Sequence, residues 1–285
     1  MSMQANFDHC SALVRAHDRD RYLATLFAPA DLRDALYVLY AFNHEIVRVH
    51  EAAREPMPGE IRLQWWREVL LGEREREAAA NPVAAALCET AGRYRLDRDR
   101  LIALVDAHTF DLYDEPFATL DDFDNYAALS EGIVLGTAAA ILGVEGMAAN
   151  TLVRHAGIAA TIAHSLTVLP HYASRRQIYI PREVMDRHAL IPESIPAHQE
   201  SPALMAVLSE MRRHARRQLQ AATLEAGEVS IAISPALLPL ATVGPHLRRM
   251  ERRGYEPFAP EVLSPLKRQW LIWRASRDPK RIFAA

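Results

Sequence analysis

From residue 31 to 49 the apolar side chains Leu32, Leu36, Leu39, Phe42, Ile46 and Val49 recur at intervals of three and four, the spacing that gives a helix one buried stripe. The same period runs through 61–71, 82–92, 101–113, 123–142, 152–169, 203–224, 235–253 and 263–273, and no alternating strand pattern of useful length competes with it. Only 11 glycines interrupt the chain while Ala and Leu are abundant, which favours helices because these side chains lose little rotamer freedom there. Asp31, just after Pro29, is placed to cap the first of these helices. The breaks are short and carry Pro, Gly or Asp, as at 55–59 and 96–99, while 192–202 reads as a loose surface loop. With no linker, repeat or low-complexity tract, the expectation is an all-α helical bundle in which 1–285 form a single domain.

A half-apolar, quarter-charged composition is that of an ordinary globular protein. Residues 1–10 lack the basic region and apolar run of an export signal. The apolar stretch 132–144 falls short of the roughly 20 residues that span a bilayer, and 231–243 is interrupted by Pro235 and Pro239. A soluble, cytoplasmic protein is expected. Cys10 and Cys88 have no CxxC partner, so neither a zinc site nor a disulfide framework is indicated. The net charge of −3 argues against nucleic-acid binding, yet it conceals an asymmetry. From Ser201 onward 14 Lys+Arg face 7 Asp+Glu, leaving 19 and 29 before it, so the two parts carry +7 and −10. Arg212, Arg213, Arg216 and Arg217 form one basic run, and Arg248, Arg249, Arg252 and Arg253 another. Two readings stay open: solvated helix faces, or a basic C-terminal part that meets anionic lipid at the inner face of a membrane or an acidic partner.

Tyr22 to Pro29, followed by Arg33, Ala35, Tyr40-Ala41-Phe42 and Arg62-Leu63-Gln64-Trp65-Trp66, resembles the squalene/phytoene synthase family. So does Ser174-Arg175-Arg176-Gln177-Ile178-Tyr179-Ile180-Pro181, which is similar to that family's stretch ending in Tyr-Leu-Pro. Between them, Asp111-Leu112, Tyr126 and Glu131-Gly132 sit where the family has Asp-Leu and Tyr…Ala-Gly, and Arg252 to Tyr255 with Lys267 continue the likeness. The resemblance implies a terpenoid-synthase-like bundle around a central cavity, built for joining two prenyl diphosphates head to head. A diphosphate leaves only when its charge is neutralised, so the family's helices present Asp-Asp-x-x-Asp and Asp-x-x-x-Asp to magnesium ions.

The resemblance places the acids of the first motif at Val47, Arg48 and Glu51, of which only Glu51 is acidic. An arginine there sets a cation beside the ions to be held. The second pair falls at Val168 and Tyr172, with His171 between them and Thr161, His164 and Thr167 in place of the accompanying Gln, Asn and Arg. His164 and His171 are two turns apart, roughly 10 Å, too far to share an ion, and His44 and His50 point in different directions. These histidines read as hydrogen-bonded or surface groups; Glu45, Arg48 and Glu51 as a local ion-pair set; Asp121, Asp122 and Asp124 as acids at a helix start. Arg175, Arg176 and Tyr179 correspond to the diphosphate-binding end and are candidates for an anion site, or for a purely structural turn. Phe27, Tyr40, Phe42 and His164 are candidates to line the cavity, although aromatic side chains at helical spacing also suit a packed core.

Within the family the likeness is to a divergent branch that includes a mitochondrial assembly factor for respiratory complex I, through Ala41-Phe42-Asn43-His44-Glu45 and Pro170 to Arg176. Arg outnumbers Lys and no transit-peptide pattern is visible, as in a bacterial member. The resemblance thus implies a protein without catalytic residues, cofactor or metal, which assists assembly of a respiratory complex through a protein partner. Two alternatives stand beside it: an active prenyl-diphosphate transferase using magnesium, and a module that binds a prenyl lipid or quinone tail.

Overall fold

Proline and small polar residues punctuate the chain where its helices begin. A computed structural model describes residues 2–52, 55–227, 229–259 and 262–284. Ser2 caps α1 (Met3–His17) and Asp18 caps α2 (Arg19–Thr25). Neither is visible as a periodic stretch, because α1 buries only Asn6, Cys10 and Val14. After a 3₁₀ turn at Ala30–Leu32 comes α3 (Arg33–Ala52), so Asp31 lies inside the turn and makes no cap; Pro29 starts it instead. Next are α4 (Pro56–Leu71), α5 (Glu75–Ala80), α6 (Pro82–Arg93) and α7 (Arg98–Ala107), with Pro at the first turn of α4 and α6, where its missing N–H costs nothing.

Four expected helices differ in the structure. The stretch 101–113 stops at Ala107 and closes in a 3₁₀ turn over Phe110–Leu112. The stretch 123–142 divides into α8 (Leu120–Ala127) and α9 (Ile133–Ile141), separated by a π-helical turn at Ala128–Gly132. Then α10 (Met147–Thr167) ends short of Leu169, because Pro170 cannot donate to the preceding turn, and a short α11 (Leu169–Ser174) follows. After α12 (Arg182–Arg187) and α13 (Pro202–Ala226), the stretch 235–253 breaks around Pro239 into α14 (Ser234–Leu237), a 3₁₀ turn and α15 (Val243–Arg249). The last long helix is α16 (Pro265–Arg277).

Two apolar cores result. One gathers α1, α3, α4, α6 and α7 around Phe42, Leu36, Leu87 and Trp66; the other gathers α8, α10, α13 and the C-terminal helices around Phe123, Leu152 and Ile158. Helix α9 serves both, giving Val134, Ala138 and Ile141 to the first and Leu135 and Ala139 to the second. It can do so because it is apolar on every side, as a helix buried all round must be. The polar groups described next stand on helices drawn from both cores.

Candidate functional site

A single buried carboxylate organises the first polar cluster. Asp111, in the 3₁₀ turn after α7, accepts from Tyr179 Oη at 2.6 Å and from Tyr126 Oη at 2.9 and 3.1 Å, and its Oδ2 lies 2.6 Å from His108 Nδ1. Burial by itself would raise this carboxyl, but His108 and the Tyr179 hydroxyl hold it below the ordinary carboxylate range. The same burial, with the carboxylate as neighbour, pushes Tyr126 and Tyr179 well above the normal phenol range, so both act as donors. Gln177 donates to the Asp111 carbonyl at 2.9 Å, and Arg175 Nη2 to the His50 carbonyl at 2.8 Å, which ties the end of α3 to the turn after α11.

The residues named as motif and anion-site candidates lie around this cluster. Val47 is half-buried, and Arg48, with 49% of its side chain exposed, sits 3.9 Å from Glu45, which Arg62 also approaches at 3.9 Å. Glu51 is exposed. Val168 caps the broken end of α10, and Tyr172 stacks on Tyr179 with centroids 4.4 Å apart. Of the anion-site candidates, Arg175 donates Nη2 to the His50 carbonyl and keeps a buried Nε without a hydrogen-bond partner among the described residues, and Tyr179 donates to Asp111. Arg176 is exposed, with φ of 60°, where it closes α11 by donating to Ala173 while Gln177 donates to Tyr172. Of the groups that resemblance assigns to magnesium, Glu51 alone is a carboxylate, so these five positions do not fit an oxygen cage for that ion. Among the described residues no three His, Cys, Asp or Glu side chains come together as metal ligands.

A second polar cluster gathers around α2. Arg21 of α2 donates one nitrogen, Nη2, to both oxygens of the Glu131 carboxylate at 2.7 and 2.6 Å, reaches Asp18 through Nη1 at 3.3 Å, and lies 5.1 Å over the ring of Tyr40. Asp20 pairs with Arg268 of α16 at 2.7 Å. His164 faces this group. It is exposed, and the charges of Glu131, Asp18, Arg21 and Arg268 all act on it. Desolvation holds its imidazolium back despite the acids, and His246, shielded and surrounded by Arg268 and Arg249, is lowered to about 4. The ring of Tyr172, 6.4 Å from that of His164, links the two clusters.

The cavity candidates separate. Tyr40 and His164 belong to the second cluster, whereas Phe42 is wholly buried edge-on to Trp66 at 5.2 Å and is core, and Phe27 is 44% exposed. Arg21, Asp18, Glu131, His246 and Arg268 were not singled out by pattern. The one available signal was Glu131, an acid beside Gly132 where the family resemblance expects alanine. Of the basic run on α13, Arg212 is buried and Arg216 is forked onto Glu251 at 3.0 and 2.7 Å, while Arg213 and Arg217 are exposed.

Comparison with known proteins adds relatives to this geometry. The model of the squalene/phytoene synthase family matches residues 14–274. NADH dehydrogenase (ubiquinone) complex I, assembly factor 6, of Mus musculus is 26% identical over 271 residues, covering 93% of this chain and 81% of its own length. Phytoene synthase 1, chloroplastic, of Arabidopsis thaliana is 23% identical over 195 residues, covering 66% of this chain and 46% of its own length. The crystal structure of squalene synthase HpnC from Alicyclobacillus acidocaldarius superimposes with a TM-score of 0.76 at 20% identity, covering 91% of this chain and 97% of that one, a likeness of fold.

Proposed function

We propose, from the premise that the chain belongs to the squalene/phytoene synthase family, that it keeps the fold without prenyl-transfer chemistry and assists assembly of respiratory complex I or a related membrane complex. It would do so from the cytoplasmic side, through a protein partner. One observation carries this reading: the positions that should anchor magnesium hold Val47, Arg48, Glu51, Val168 and Tyr172, with one exposed carboxylate among them. A pyrophosphate group leaves only when cations neutralise it, and Arg48 repels the ions that would do so. Pro170 further breaks the helix between the second pair of positions. The nearly full-length likeness to a complex I assembly factor supplies the role.

Deletion of the gene is expected to lower NADH:quinone oxidoreductase activity together with the amount of intact complex; unchanged activity in the deletion strain would overturn the assembly role. Incubation of the purified protein with farnesyl or geranylgeranyl diphosphate and magnesium is expected to give no head-to-head product, and such a product would restore the transferase reading. The exposed His164, with the ring of Tyr172 6.4 Å away, favours a second reading, binding of a prenyl lipid or quinone tail, for which native mass spectrometry after mild purification would reveal a lipid mass.

A further inference from the structure

We propose that the groove between α15 and α16 docks the chain onto the anionic surface of a lipid bilayer. Helix α16 has two unlike faces. Ile272 and Ala275 turn into the core, each 1% exposed, while Leu266, Trp270 and Trp273 stand out at 78, 48 and 50%. Spaced by four and three, those three form one outward stripe. Lys267 and Arg274 flank it, and across a groove of about 480 Å³ Arg248 and Arg252 of the α15 end face them. Among the described residues no carboxylate lines this groove.

An exposed tryptophan pair with basic flanks suits the headgroup level of a membrane, where an indole is half apolar and half wetted and long cations reach out to phosphates. Arg274 lies 4.9 Å over the Trp270 ring and Arg277 5.8 Å over that of Trp273, so each cation is stacked on an indole. Charge complementarity selects the occupant. The chain is +7 from Ser201 onward, and four of that segment's cations, Arg248, Arg252, Lys267 and Arg274, line the groove with no carboxylate among its described residues, so a negative surface is attracted there. The other basic run lacks this combination: Arg212 is buried, Arg216 is paired with Glu251, Arg217 bonds His214, and α13 carries no tryptophan beside the exposed Arg213. Among the described residues no helix is long and apolar enough to cross a membrane, and the contact is with the bilayer surface. It does not depend on the assembly role, and its failure would leave that role standing.

The test is co-sedimentation of the full chain with vesicles of phosphatidylcholine alone or containing about one-third phosphatidylglycerol. Binding is expected only to the anionic vesicles, with release as sodium chloride is raised to about 0.5 M. In vesicles carrying brominated acyl chains the tryptophan fluorescence should be quenched, a readout that needs no variant. Trp270→Ala/Trp273→Ala and Arg248→Gln/Lys267→Gln should each weaken binding by about tenfold or more, while Arg76→Gln/Arg213→Gln, exposed elsewhere, should not. Absence of vesicle binding, equal binding to neutral vesicles, retention by both groove variants, or displacement by millimolar inorganic phosphate would each overturn the proposal. The last would mark a pocket for a soluble anion.

Discussion

Arg21 and Glu131 stand 110 residues apart in the chain, yet their side chains meet in an ion pair in which Nη2 serves both carboxylate oxygens, with 12% and 24% of their surfaces exposed. Such a pair is weak evidence of stability as a whole, because desolvation offsets much of the attraction, but removing one partner strands the other. Glu131→Ala should therefore destabilise the protein by about 3 kcal/mol, and adding Arg21→Leu should recover most of that loss. Urea unfolding of the single and double variants measures it; an additive double variant would mean the two charges do not interact. The histidines make a second prediction. His246 is lowered to about 4 by burial and by Arg268 and Arg249, so in the folded protein it stays neutral where an unfolded histidine, titrating near 6.5, takes up a proton. Its contribution is complete above that unfolded value and is lost as the pH falls toward about 4. His44, His50 and His164 are lowered in the same direction, so His246→Gln should flatten part of the loss of melting temperature across this window. Asp111 acts in a more acidic window: lowered in the fold, it contributes fully above the ordinary carboxylate value and loses that contribution progressively as the pH falls from there through its lower folded value.

At the level of elements, the crossing of α10 over the π-helical turn is set by two glycines. A Cβ on Gly157 would lie 2.6 Å from the Gly132 nitrogen and 2.8 Å from its Cα, backbone atoms that cannot swing aside. Gly157→Ala should push α10 off that turn and cost about 1–3 kcal/mol, whereas Gly92→Ala, with open space around it, should be neutral or slightly stabilising. Thermal melting of both variants compares them, and equal melting temperatures would show that α10 can yield at this crossing without cost. The π turn also explains why 123–142 reads as one helix: its apolar period continues through 128–132, and the extra residue in that turn leaves no mark in residue type.

For the whole molecule, α9 is common to both apolar cores, so neither can lose its packing without exposing the other. Calorimetry should show one unfolding transition, and two well-separated ones would mean the cores are independent units. Titration with magnesium and a prenyl-diphosphate analogue should give no metal-linked binding heat, because among the described residues no three His, Cys, Asp or Glu side chains come together as ligands. The periodicity of apolar residues was enough to announce an all-α protein and most of its long helices, because a buried stripe at 3.6 residues per turn is a local property. Family likeness was legible too, in Tyr40-Ala41-Phe42 and the run from Ser174 to Pro181. What lay beyond reach were contacts between residues far apart in sequence. Asp111 gathering His108, Tyr126 and Tyr179, Arg21 finding Glu131, and Trp270 of α16 facing Arg248 of α15 each depend on how helices cross. The amino-acid sequence decided which faces must be hidden; tertiary packing decided which polar groups those hidden faces would bring together. A charge finds its partner through space, and space between helices is set by packing rather than by spacing along a chain.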